Sequence, residues 1–122
     1  MPARRRVDPA AGEQAVAAYR ADPDGIDRTS LATAVRYTLQ ELAEGSPGRS
    51  VEVRVPPYGA VQCLEGPRHT RGTPTNVVET DPRTWLDLVT GALAWDEARE
   101  AGRLRASGLR ADLAALLPFA QP

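Results

Sequence analysis

Two helix starts, two glycine stops and an alternating strand follow one another closely between Asp81 and Gly108, and any fold open to this chain has to accommodate that order. Asp81 precedes Pro82: the carboxylate can accept from free N–H groups of a first turn, and proline at the first helical position gives up an N–H that has no partner there. The helix carries Trp85, Leu86, Leu88 and Val89 and is predicted to stop at Gly91. A second short helix opens near Trp95-Asp96-Glu97, presents Ala98 and Ala101 on one side and stops at Gly102, since glycine tolerates the left-handed backbone of a helix end. Arg103-Leu104-Arg105-Ala106 then alternates like a strand.

The upstream sequence repeats these devices. A basic arm over residues 1–8 leads to Asp8-Pro9 and an alanine-rich helix to about Arg20, ended by Ala21-Asp22-Pro23-Asp24-Gly25. A longer helix follows, capped by Thr29 or Ser30. Its Leu31, Ala34, Val35, Thr38, Leu39 and Leu42 recur at helical spacing, with Arg36, Gln40, Glu41 and Glu44 outward. Gly45-Ser46-Pro47-Gly48 breaks it. Val51, Val53 and Val55 then share one strand face, turned toward the helices, opposite Glu52 and Arg54. Pro56-Pro57-Tyr58-Gly59 turns the chain into a second strand from Ala60 to Glu65, so 51–65 reads as an antiparallel hairpin. Residues 76–79 and 103–106 bring the count to at least four strands. A last helix is predicted over residues 109–117, with Leu109, Leu113, Leu116 and Leu117 along one side before Pro118. The fold class is α+β, with a basic arm and short helix over 1–28 and the main domain over 29–122.

With 122 residues the chain can build one core. Its apolar share is 42%, but twenty of those residues are Ala, so the core is adequate without being rich. Aromatic residues make up 5%, too few for a base-stacking platform, and fifteen Arg against sixteen carboxylates leave a net charge of −1. Neither property recommends nucleic acid as a partner. Arg4-Arg5-Arg6 reads as a solvated tail. Cys63 is the single cysteine, which excludes an intramolecular disulfide and a multi-cysteine metal site and fits a reducing cytoplasm. No apolar run reaches membrane-spanning length and no export signal is visible, so neither stable membrane insertion nor export is expected.

Chemistry concentrates between the second and third strands, where Arg68, His69, Arg71, Thr73 and Asn76 sit among glycines and prolines. Arginine forks and threonine hydroxyls suit a phosphate or carboxylate head group. The same residues also suit a solvated connection whose arginines pair with Glu65, Glu79 or Asp81. Cys63 and His69 would form a thiolate–imidazole pair only if the loop folded back, and Cys63 reads more simply as a small apolar group on a packed strand face. One His and one Cys show no ligand spacing for a metal, and no cofactor is implied. Trp85 and Trp95 occupy matching early positions of consecutive helices and are expected to wedge them onto the sheet.

The order of acid-capped helix, Thr90-Gly91 stop, short helix with Ala98 and Gly102, strand Arg103-Leu104-Arg105-Ala106 and leucine-rich end resembles the sterol carrier protein 2 family, and its small stand-alone bacterial members in particular. The resemblance covers about residues 30–118. It implies a four- to five-stranded, mainly antiparallel sheet with helices on one face, and an apolar cavity between the layers for a fatty acid, sterol or acyl-coenzyme A. On that reading the candidate cavity wall is Leu39, Leu86, Val89, Leu113 and Leu117; the loop with Arg68, His69, Arg71, Thr73 and Asn76, unlike the hairpins of typical lipid carriers, is a head-group lip by its own chemistry. The expected role is non-catalytic binding of an apolar or amphipathic small molecule. The alternative is a protein-interaction or regulatory module that keeps the fold without a lipid, and its partner is not specified by the sequence.

Overall fold

Among the described residues, three of the four α-helices begin where an aspartate carboxylate catches a backbone N–H. In the computed structural model, which describes residues 6–66, 76–108 and 111–120, Asp8 accepts from Ala11 N at 3.2 Å to open α1 (Pro9–Ala21). Asp81 accepts from Thr84 N at 2.7 Å to open α3 (Pro82–Thr90). Helix α2 (Arg28–Gly45) starts two or three residues before the sequence reading, because the cap is Asp27, whose carboxylate accepts from Ser30 N at 2.7 Å. Thr29 and Ser30 lie inside the first turn. Gly91 ends α3 with φ 88° and Gly102 follows α4 (Trp95–Glu100) with φ 71°, as the glycine stops require.

The strands β1 (Val51–Val55), β2 (Gly59–Cys63), β3 (Asn76–Thr80) and β4 (Leu104–Ser107) form one sheet in the order β2-β1-β3-β4. The β1/β2 and β3/β4 pairs are antiparallel and β1/β3 is parallel, so the sheet is mainly antiparallel. The register shows the parallel pair: Val51 has Cys63, the end of β2, beside it on one edge and Asn76, the start of β3, on the other. Strand β2 ends before Glu65. Leu64 adopts φ 62° and turns its N–H to Ser46 O at 2.7 Å, while its carbonyl accepts from Ser50 N at 3.0 Å. Val51, Val53 and Val55 are buried to 1% exposure or less, with Val78 beside Val53, whereas Arg54, Gln62 and Arg105 face water. The period-two pattern thus set which face meets the core.

Helix α2 packs against β2 and α3, and α1 packs against both helices. The α1–α2 approach depends on Gly12: a Cβ there would stand 2.2 Å from the Tyr37 ring. At the centre Trp85, fully buried, donates from Nε1 to Thr38 Oγ1 at 2.8 Å. Trp95 is buried as well, at 4% exposure. Tyr19 ties α1 to α3 through its hydroxyl, which donates to Asp87 Oδ1 at 2.6 Å. Burial and this bond to a carboxylate push its ionisation well above the usual phenol range.

The last helix is a correction. Residues 109–110 lie outside the described residues, and the segment 111–120 holds a single 3₁₀ turn (Ala114–Leu116). Leu113 is fully buried, and the Asp112 carboxylate accepts from Ala114 N at 2.8 Å, two residues on, which competes with helical pairing. Phe119 N and Ala120 N then donate to Val89 O at 3.1 and 2.8 Å. The apolar repeat is satisfied by docking an irregular segment on α3, and a stretch this short has little power to nucleate a helix alone.

Thr38→Val keeps the shape at the centre but leaves the Trp85 N–H without an acceptor. It is expected to cost about 1–3 kcal/mol in urea unfolding, against about 2–5 kcal/mol for Leu113→Ala. A Thr38→Val protein as stable as the parent would show that this bond does not hold α2 to α3.

Candidate ligand groove

Helix α2 and the edge strand β2 run side by side, and between them lies a mainly apolar groove of about 300 Å³. It exists because small residues face each other: Ala43 on the helix, Gly59 and Ala60 on the strand. Leu39 and Val61 supply its larger apolar surface. A Cβ at Gly59 would already stand 3.3 Å from the Leu39 side chain. Charge is confined to the lip. Arg36 donates from Nε to Tyr58 O at 3.2 Å, with its guanidinium 5.8 Å from the centre of the Tyr58 ring. Arg6 pairs with Glu44, and Gln40 accepts from Val7 N at 3.1 Å. The arrangement can take an apolar body along the helix and offer a guanidinium to one end.

Of the residues expected to line a cavity, Leu39 lies on this groove. Leu86, Val89 and Leu113 are fully buried and join Leu39 in the core cluster, and Leu117 is partly buried against it. Asn76 sits at the start of β3 and donates from Nδ2 to Ser50 O at 2.8 Å. Arg68, His69, Arg71 and Thr73 lie outside the described residues. Arg36, Ala43 and Val61 were missed as site residues. Their signal was present as a second stripe on α2, Arg36–Leu39/Gln40–Ala43, beside a strand beginning Gly-Ala, but a polar stripe reads first as a solvated face.

A family model described as the bacterial SCP orthologue matches residues 27–119. The chain belongs to this sterol-carrier family. A search of curated proteins finds no match. The family match begins at the Asp27 cap of α2, so α1, packed on α2 and α3, lies outside it.

In this sterol-carrier domain Cys63 is fully buried at the end of β2, and burial pushes its thiol up to about 11. At neutral pH it is a protonated thiol on a packed face, which removes the basis for reading it as a nucleophile. Among the described residues no group of three or more His, Cys, Asp or Glu could hold a metal ion, and no helix is long and apolar enough to cross a membrane.

Thiol reagents should therefore modify Cys63 at a rate that tracks unfolding, and labelling that saturates rapidly in the native protein would contradict the burial. The thiol also predicts an alkaline dependence. The unfolded thiol ionises near its ordinary 9.0 and the folded one near 11, so the folded state binds the proton more tightly and stability falls as pH rises through that window. Cys63→Ala should flatten the fall between these pH values in urea titrations.

Proposed function

We propose that this domain is a non-catalytic carrier that binds an apolar or amphipathic small molecule, of fatty acid, sterol or acyl-coenzyme A type, between helix α2 and the sheet. The observation that carries this reading is the α2–β2 groove, apolar along its length and cationic at its Arg36 lip. Membership of a lipid-carrier-type family supports it. The groove volume, about 300 Å³, sits at the small end of small-molecule sites. A short acyl chain fits it as it stands, and a longer one requires Leu39 to turn away and admit it toward Leu86, Val89 and Leu113. Each methylene buried contributes about 0.8 kcal/mol. Arg36 would meet an acidic head group in the part first assigned to Arg68 and Arg71, which stay candidates for the same role.

A protein-interaction module on the same fold is the second reading, and the full burial of Leu86, Val89 and Leu113 favours it, since a filled centre leaves no deep cavity for a whole lipid. The domain division at residue 29 also belongs here: α1 would be an addition to the carrier domain, available for self-association.

Displacement of a fluorescent fatty acid separates the two. Ala43→Trp fills the groove and should weaken binding without lowering the melting temperature. Arg36→Gln should weaken acidic ligands about tenfold more than neutral ones of equal length, since a charged hydrogen bond contributes about 1.5–3 kcal/mol before solvent screening. Absence of saturable binding would favour the interaction module, and equal loss for acidic and neutral ligands would show that Arg36 does not read charge.

A further inference from the structure

On the opposite side of α2 from β2, a second pocket of about 350 Å³ opens between α1, α2 and the C-terminal segment. Val16 and Thr38 line it from the two helices, and Phe119 with Ala120 from the C-terminal segment. The Phe119 ring lies 6.3 Å from that of Trp85 and tilts 59° to it. The Thr38 proton is already committed, because its hydroxyl accepts from Trp85 and donates back to Ala34 O at 2.8 Å. The polar capacity lies at the two ends. At one end is Arg20, whose Nη2 is buried with no hydrogen-bond partner. At the other end Glu13 and Glu41 line the pocket with Tyr37, and burial and both carboxylates make that phenol harder to ionise. Glu13 and Arg20 are seven residues apart on one face of α1, about 10 Å along its axis.

We infer that this pocket binds a small zwitterion, its carboxylate on Arg20, its amine toward Glu13 and Glu41, and its apolar middle between Val16 and Phe119. A buried guanidinium N–H without an acceptor is a standing cost, and a carboxylate supplies the acceptor with charge assistance. A dianion would meet the acidic end and be repelled, whereas an amine there is attracted. The apolar middle suits Val16 and Phe119, which offer no hydrogen bond. None of these observations involves the α2–β2 groove, so this site stands apart from the proposed carrier function.

The test titrates the full chain with 6-aminohexanoate, hexanoate and hexylamine, followed by amide and methyl NMR shifts and by thermal unfolding. The expected result is saturable binding of 6-aminohexanoate at least about tenfold tighter than either single-ended probe, the equivalent of one charged contact, with shifts at Val16, Tyr37 and Phe119. Arg20→Met should abolish the preference for the zwitterion without lowering the melting temperature, because the buried Nη2 holds no protein partner. Glu13→Gln combined with Glu41→Gln should reduce 6-aminohexanoate to the level of hexanoate. Equal binding of hexanoate and 6-aminohexanoate, no saturable binding of any probe, or unchanged binding by Arg20→Met would overturn the assignment. Shifts confined to Leu39, Ala43 and Val61 would also overturn it, by moving the ligand to the α2–β2 groove and leaving the carrier reading intact.

Discussion

The bond from Trp85 to Thr38 fixes the element on which both pockets depend. The indole has nowhere else to place its N–H, and Thr38 is a buried hydroxyl on the neighbouring helix with its own proton directed to the backbone at Ala34 or Val35. A buried polar pair of this kind is worth most when every member is satisfied, because the alternative is a donor stranded in a low-dielectric core. Once Thr38 is set against α3, helical geometry places its neighbours. Tyr37 turns toward α1, where Gly12 makes room for its ring, and Leu39 turns toward β2. Three consecutive side chains thus address three different partners, about 100° apart.

The division of labour between core and surface follows from that anchoring. Tyr19, Asp87, Arg103 and Thr84 make a polar chain over α3: Tyr19 donates to Asp87, Arg103 pairs with Asp87 at 3.3 Å and donates from Nε to Thr84 Oγ1 at 3.1 Å. Thr84 in turn donates to the capping Asp81 at 2.9 Å. This chain joins α1, the α3 cap and the residue leading into β4. It explains why α1, outside the family match, is held closely to the domain: Ala15, Val16 and Tyr19 are part of the same core cluster.

Much of this was legible in the residues because the signals were local. Asp8 and Asp81 before proline, Gly91 and Gly102 after short helices, and the Val51/Val53/Val55 alternation each carry their cause within four residues. What failed needed distance. Thr29 and Ser30 were reasonable caps, but Asp27 lies two or three residues earlier and captures the N–H of Ser30 itself. The leucine repeat after residue 108 looked helical because spacing records which side chains are buried, and an irregular segment docked on Val89 can bury Leu113 equally well. The parallel β1/β3 pair joins strands far apart in the chain, which no local pattern encodes. The groove escaped notice because Ala43, Gly59 and Ala60 mark a site by being small.

Why the apolar space lies at an edge, and not at the centre, is a matter of energy. An empty enclosed void costs about 24 cal/mol per Å³, so a sealed cavity of the groove's volume, about 300 Å³, would cost about 7 kcal/mol. A single domain has about 5–15 kcal/mol of net stability. A chain whose apolar complement is rich in Ala has few large side chains with which to offset such a void. Filling the centre with Trp85, Leu86, Val89 and Leu113 and leaving the space open beside Ala43 and Gly59 avoids that cost. A ligand that presses past Leu39 would then have to displace packed side chains, and the free energy of its own buried methylenes has to exceed the contacts it breaks. Under the proposed carrier reading, chain length would therefore be the variable that sets affinity, and the Arg36 lip would add selectivity for the head group at the rim.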